Sequence, residues 1–443
     1  MTDAVQLIGG TVVTSLSPAR VTKADIVIRE GRVEELTDTV KDRVARLDCS
    51  GCLIIPGNVC AHHHLYSALA RGMPYRLEPP ENFLQTLQRI WWRLDRALDL
   101  PTIRASATVG GMEALLAGTT TVVDHHASPK AIDGSLDEIA APLQELGLRS
   151  VLCYEVSDRD GLEAARAGLE ENRRFLKEAG SDLARGMVGA HASFTLSEET
   201  LEACADLARS EGVGIHIHVA EDAVDERDAE ARFGRRVGSR LAEAGALDDR
   251  ALLAHCVHLN ERELETVRDS GATAVHNPRS NMNNRIGHAP IAAFARLGLG
   301  TDGIGGDMFA ESKAAFWRAK ESDPSVGPGW VLELLAASAR FVGMAIEEPL
   351  LGEIRPGAAA DLVVLDYDPP APLTEDNLAG HWLFGLSSRH VRDVFVAGRP
   401  VVEDRQLIGA DREGVVARGR EAAQRLWARM EGIGPHPFEP AGA

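Results

Sequence analysis

PGNVCAHHHL, residues 56–65, runs an apolar segment into three consecutive histidines. Side chains alternate along a strand, so His62 and His64 share one face while His63 takes the other. Seven further apolar runs end in the same way on polar or titratable residues: VVDHH (122–126), CYE (153–155), GAH (189–191), HIHVAED (216–222), LLAHC (252–256), AVHN (274–277) and GLGTDG (298–303). Helical-period stretches such as 103–117, 197–210 and 260–269 separate most of them. Eight strand-then-helix units predict an α/β fold, a closed (β/α)8 TIM-type barrel. Such barrels collect their active sites at the carboxyl ends of the strands, which is where this chain places its His, Asp and Glu residues.

At 443 residues the chain is longer than one barrel needs. Residues 4–14 and 25–36 alternate like half-exposed strands with a turn at Gly31, and the apolar run Leu53 to Ile55 enters the barrel through Pro56 and Gly57. ADLVVLD (360–366) and VRDVFVAGRPVVED (391–404) have the same character. The predicted organisation is residues 1–55 as the first part of a small composite β-sandwich, 56–350 as the barrel, and 351–443 as the rest of the sandwich. That last part ends in an amphipathic helix over 412–432 and a loosely held Pro/Gly-rich tail after Gly432.

A net charge of −19, with 47 basic residues scattered singly, offers no phosphate-tracking face, so a nucleic-acid partner is not expected. MTDAVQLIGG lacks the regions of a signal peptide, and no apolar stretch is long enough to cross a bilayer. Six cysteines are too few for a disulfide framework. A cytoplasmic protein without a membrane partner is expected.

Two imidazoles from one strand end make half of a divalent-metal shell. A third ligand should come from another strand, and His218 in HIHVAED is well placed, although His216 shares its face and geometry alone does not choose between them. Asp302, at the end of an apolar run and before Gly303, would add a carboxylate oxygen. Three imidazoles and one carboxylate suit zinc or iron and leave a position for water, whose pKa a dication lowers towards neutrality. An HxH pair alone is weak evidence, because strand-end histidines are often hydrogen-bonded core residues. The joint pattern carries the reading.

PGNVCAHHHLYSALARG, HIHVAED, LLAHCVHL, HNPRSNMNN and LGTDGIGGDMF, in this order, resemble the metal-dependent amidohydrolase superfamily, in the branch of cytosine, guanine and S-adenosylhomocysteine deaminases and triazine chlorohydrolases. With FLQTLQRIWWRLDRALD and VVDHHASP, the chain is most similar to SsnA-type aminohydrolases, over nearly its whole length. The resemblance implies one divalent ion per chain, zinc first and iron as the alternative, held by His62, His64, His218 and Asp302. It selects His218 over His216, because the ligand histidine of this branch stands three residues before a catalytic glutamate, here Glu221.

The implied catalytic residues are Glu221, His255 and Asp302. Glu221 would take a proton from metal-bound water and pass it to a ring nitrogen, Asp302 would move a second proton to the departing amine, and His255 would stabilise the hydroxide or the tetrahedral centre. His191 resembles the strand-four histidine that contacts the substrate ring, and Trp91 and Trp92 lie on what resembles a substrate-covering segment. His125 is a further candidate for the pocket wall. For these four, ordinary core packing is the competing account, and His216, His258 and His276 are read as structural. His63, Trp92 and the Met282-Asn283-Asn284 loop depart from the commoner pattern, so no particular substrate is carried over. A homo-oligomer is also implied.

The predicted activity is hydrolysis of a C–N bond in a small nitrogen heterocycle, most simply an aminohydrolase (deaminase) that releases ammonia through metal-bound hydroxide. Opening of a cyclic amide and triazine-type dehalogenation are alternatives. A non-catalytic binding protein on the same frame is a distant third, since the complete ligand and proton-shuttle set would then have no use. Gly298, Gly300 and Gly303 match the lettering of a dinucleotide fingerprint, but they span the eighth strand and enclose Asp302, so no such site is expected. Cys49 and Cys52 precede a β-run rather than a helix and are read as packing.

Overall fold

The computed structural model describes residues 4–178 and 183–442. Parallel strands fall into two sheets. One is ordered Ala184–Gly186, Arg149–Tyr154, Thr119–His126, Asn58–His63, and the other Val188–Ala192, Ile215–Val219, Leu252–His255, Thr273–His276, Leu297–Leu299. Their outer edges meet twice. His63 bridges Asp302, with Thr301 N–H donating to the His62 carbonyl at 2.9 Å, and Val156 bridges Ala190, with His191 N–H donating to the Val156 carbonyl at 2.9 Å. Close approach at the first seam explains Gly300, because a Cβ there would sit 2.8 Å from the His62 backbone nitrogen.

The three periodic stretches form helices Leu100–Leu116, Glu198–Glu211 and Glu261–Ser270. Their starts are written in polar caps: the Ser197 side chain accepts from Thr200 N–H, and Asn260 and Glu263 form a reciprocal capping box. Gly212 and Gly271 take the left-handed conformation that ends the second and third helices. No helix among the described residues is long and apolar enough to cross a membrane.

Strands from the two ends of the chain do combine. Leu53–Pro56 pairs with Thr11–Leu16 on one side and Leu362–Leu365 on the other, inside a seven-stranded sheet. A four-stranded sheet of Ala4–Ile8, Asp25–Arg29, Arg32–Thr37 and Ala45–Asp48 packs on it through Leu7, Ile26, Ile28, Ile54, Leu362 and Val364. Leu53, Ile55, Val363 and Leu365 face the opposite way, into the main core. A strand covered on both faces needs no polar residue, which is why 53–55 reads as an unbroken apolar run. Arg149 joins the two regions through a buried bidentate pair with Asp361, at 3.0 Å for both contacts.

One expectation is corrected. The tail after Gly432 is docked rather than loose: Ile433, Gly434 and Phe438 carbonyls accept from Arg93, Arg96 and Gln88, and His436 is buried. Cys49 and Cys52 do pack in the apolar cluster between the two sheets, and the Arg392 guanidinium also approaches their sulfurs at 3.7 and 3.2 Å.

Candidate metal centre

Six strand ends deliver His62 and His64, His125, Glu155, His191, His218 and Asp302 to one region, with His255 arriving from its neighbour. Four side chains, His62, His64, His218 and Asp302, each offer a ligand atom within 4.8 Å of the others. Asp302 Oδ1 lies 3.0 Å from His64 Nε2 and 3.4 Å from His62 Nε2, and the Nε2 atoms of His64 and His218 are 3.2 Å apart.

Hydrogen bonding on the far side of each ring fixes what these nitrogens can do. His64 Nδ1 is 2.5 Å from the His125 carbonyl and His218 Nδ1 is 2.9 Å from the His191 carbonyl. A carbonyl only accepts, so both Nδ1 atoms carry the hydrogen and both Nε2 atoms of the neutral rings turn lone pairs inward. His62 Nε2 is buried without a hydrogen-bond partner. Converging lone pairs beside a carboxylate call for a cation, and three imidazoles with one carboxylate fit a divalent ion of the zinc class.

Electrostatics couple these rings to Asp302. Burial works against a charged His64 ring, yet Asp302 overrides it and raises the pKa to about 9. Burial would likewise raise Asp302, but the His62 and His64 rings that face it hold its carboxyl well below the usual range. Burial pushes His62 down to about 3 and His218 well below its ordinary value.

Glu221, His255 and the second oxygen of Asp302 form an adjoining cluster. His255 Nε2 lies 3.6 Å from Glu221 Oε2 and 3.9 Å from Asp302 Oδ2, and its Nδ1 donates to Asn281 Oδ1 at 2.8 Å. Ser280 Oγ donates to Asp302 Oδ2. Burial, then the charges of Asp302, Asp222 and Asp225, push the Glu221 carboxyl well above its ordinary range. Ala220, His255, Cys256 and Asp302 all hold φ between 44° and 73°. Left-handed backbone at non-glycine residues costs about 1–3 kcal/mol each and persists where surrounding structure enforces it, as at functional sites.

His191 donates or accepts through Nδ1 at Thr195 Oγ1 (2.7 Å), its ring centroid is 5.6 Å from that of His218, and its Nε2 is 3.8 Å from Glu155. His125 is fully buried, with Nε2 3.1 Å from the His216 carbonyl and Nδ1 3.2 Å from Glu155 Oε2. Trp92 is enclosed beside His191 and Phe194, whereas Trp91 is half-buried next to Gly303 and lines a cavity of about 220 Å³ with His63 and Ser67.

Glu155 was not singled out from sequence. It accepts from Arg159 at 2.9 Å, and Arg159 donates to Asp95 Oδ2 at 2.6 Å, a buried chain linking the strand ends to the segment that carries Trp92. The polar ending of CYE was the available signal. Ser280 and Asn281 were also missed, and their place in SNMNN, on the short helix Pro278–Asn284 that follows the seventh strand, could have marked them.

His216, read as a core histidine, has a more specific place. Its Nε2 is 2.7 Å from His62 Nδ1, and with the hydrogen on His62 Nδ1 it accepts and leaves His62 Nε2 free for a cation. Its own Nδ1 is 3.6 Å from Cys153 Sγ. His216→Leu is expected to keep the fold and weaken zinc binding about 10–100-fold, read by competition with a chromophoric chelator. An unchanged affinity would remove His216 from the support of His62.

Comparison with known proteins identifies the family of the chain. The sequence profile described as the amidohydrolase family matches residues 53–401. A 5'-deoxyadenosine deaminase of Methanopyrus kandleri is 31% identical over 386 residues, 84% of this chain and 86% of that protein. A 5-methylthioadenosine/S-adenosylhomocysteine deaminase of Pelotomaculum thermopropionicum is 30% identical over 393 residues, 86% of this chain and 87% of that one. Among solved structures, an adenosine deaminase from Xanthomonas campestris with bound zinc superposes with a TM-score of 0.83 at 25% identity, covering 96% of this chain and 98% of the other. The zinc-complexed atrazine chlorohydrolase of Arthrobacter aurescens (TM-score 0.80, 22% identity, 95% and 100% covered) shares the fold.

Proposed function

Because the chain belongs to the amidohydrolase family, we propose that it is an aminohydrolase, which hydrolyses the exocyclic C–N bond of an amino-substituted nitrogen heterocycle and releases ammonia. It is a hydrolytic enzyme acting on C–N bonds, as its deaminase-named relatives are. The observation that carries the finer reading is the convergence of Glu221, His255 and Asp302, with ligand atoms within 4.8 Å of one another, on the flank of the four-residue cluster.

His62, His64, His218 and Asp302 would hold a single divalent ion, zinc in the first instance, which when bound makes water a nucleophile near neutral pH. The rest falls to the chain. Glu221, its carboxyl raised well above the ordinary range by burial and by neighbouring carboxylates, can take up a proton and deliver it to a ring nitrogen, leaving the adjacent carbon electrophilic. His255 Nε2, without a hydrogen-bond partner, points at the same space and, on taking up a proton, can donate to the charge that develops on the attacked centre. Asp302 Oδ2, steadied by Ser280, is the second proton-transfer oxygen and serves the departing amine. His191 and Trp91 are the candidate ring contacts.

The frame for this chemistry is the (β/α)8 barrel closed through the His63–Asp302 and Val156–Ala190 bridges, over residues 56–350, with a β-sandwich built from 1–55 and 351–443. A homo-oligomer in the cytoplasm belongs to the same reading.

An ammonia-release screen on adenosine-type nucleosides, free purines and pyrimidines, pterins and triazines tests it. Chelator-sensitive ammonia release with the ring intact is the expected result. Free halide or loss of ring absorbance would reassign the reaction, and zinc-loaded protein silent on every ring would defeat the proposal.

A further inference from the structure

The segment Ile433–Gly442 crosses the face on which the strand ends open. At one end it is sewn to the covering segment: Gln88 exchanges hydrogen bonds with it, its side chain donating to the Phe438 carbonyl at 2.8 Å and its own carbonyl accepting from His436 N–H at 2.9 Å. At the other end Ala441 N–H donates to Asp228 Oδ1 at 2.7 Å, on the helix Ala223–Phe233 that begins two residues after Glu221. Between them His436 Nε2 lies 3.6 Å from Asp160, just beyond the strand end that supplies Glu155.

The side chains of this segment close on Trp92. His436 and Phe438 meet the indole edge-on, at 5.3 and 5.9 Å between ring centroids, and His191 is a further neighbour of the indole at 6.0 Å. Phe438 also packs on an apolar cluster whose members Phe194, Val224, Val257 and Ile286 follow four different strand ends. The covering segment consists of Phe83–Thr86, a single π-helical turn at Leu87–Trp91, and Trp92–Ala97. These run on without a break as one helix interrupted by the π turn, and such a turn offsets the faces on either side of it, so contacts from outside fix where Trp91 and Trp92 sit. Edge-to-face aromatic contacts fix a ring's tilt as well as its position.

We propose that Ile433–Gly442 is a wall of the substrate site, and that His436 and Phe438 are positioning residues that clamp Trp92 and thereby hold His191 and the covering segment over the ligand cluster. The proposal rests on reading that cluster as the active site.

The test is the double variant His436→Ala/Phe438→Ala as zinc-loaded, full-length protein. Two readouts are taken: the rate at which excess dipicolinate strips the zinc, and KM and kcat for a substrate that releases ammonia. Stripping about tenfold faster, with KM raised about tenfold and kcat within about twofold, is expected, since the wall orders binding without touching the reacting atoms. Stripping rate and KM both unchanged would overturn the proposal, as would a parallel loss of kcat and melting temperature, which marks a purely structural segment. Should the double variant fail to fold, Phe438→Leu replaces it, with Phe438→Tyr expected to restore the wild-type stripping rate. If no heterocycle releases ammonia, the functional reading fails by itself, while the stripping rate still decides the fate of the wall.

Discussion

Glu221→Gln is expected to bind zinc as the wild type does and to lose roughly 10²–10⁴-fold in turnover, the usual range for removing a positioned acid–base group. The argument is one of shape against chemistry. Glutamine fills the same volume and can still face His255 and Asn284, so the cluster His62, His64, His218 and Asp302 is left alone. What it cannot do is take a proton at one oxygen and release it at another. Elemental analysis with steady-state kinetics separates the two properties, and a variant with full metal and wild-type turnover would dismiss Glu221 as the shuttle. Stability supplies an independent check on metal-stripped protein. A carboxyl whose folded pKa is raised opposes folding once pH exceeds its unfolded value, near 4.5, and the penalty grows until the folded pKa is passed. The variant's melting temperature should therefore move above that of the wild type as pH rises from 4.5, and should match it below.

How much of this was written in the sequence can be judged residue by residue. His62 and His64 were legible because strand alternation forces i and i+2 to one face, and the structure brings both to Asp302. The choice of His218 over His216 was not legible from spacing, and the two rings prove to have different neighbours rather than different burial. His218 is anchored on the His191 carbonyl and turned to the cluster, whereas His216 sits behind His62. The unbroken apolar run 53–55 announced a strand but not that both its faces are covered by different cores, because coverage depends on what packs against it.

The docked tail was misjudged for a related reason. Proline and glycine after Gly432 look like a free end, but docking here rests on carbonyls accepting from Arg93, Arg96 and Gln88, and backbone acceptors leave no trace in composition. The Glu155–Arg159–Asp95 chain was hidden for yet another reason. Its members are 64 residues apart at the extremes, and only folding makes them a network. Local alternation predicts which face a side chain takes. It does not predict the partner waiting there.

Asp302→Asn should have the largest effect of any single change, costing both metal and activity. Asparagine tolerates the left-handed backbone that residue 302 requires (φ 52°), and it is nearly isosteric, so folding is not the reason for the loss. Charge is. Asp302 Oδ1 is the one anionic oxygen in the four-residue cluster, facing His64 at 3.0 Å and His62 at 3.4 Å, and Oδ2 faces His255 and Ser280. An amide supplies neither the negative charge that makes this pocket attractive to a dication nor a second oxygen able to carry a proton. The expected outcome is protein that melts cooperatively, retains little zinc after dialysis, and turns over on the order of 10³-fold more slowly or worse, since both electrostatic and proton-transfer contributions go together. The contrast with Glu221→Gln is what makes the pair informative. Loss of turnover with metal at 221, and loss of turnover through metal at 302, would assign the proton shuttle and the ligand separately. Full zinc occupancy and near-normal activity in the 302 variant would mean that the cation is held by the three imidazoles alone, and that Asp302 belongs to the hydrogen-bonding around Ser280 instead.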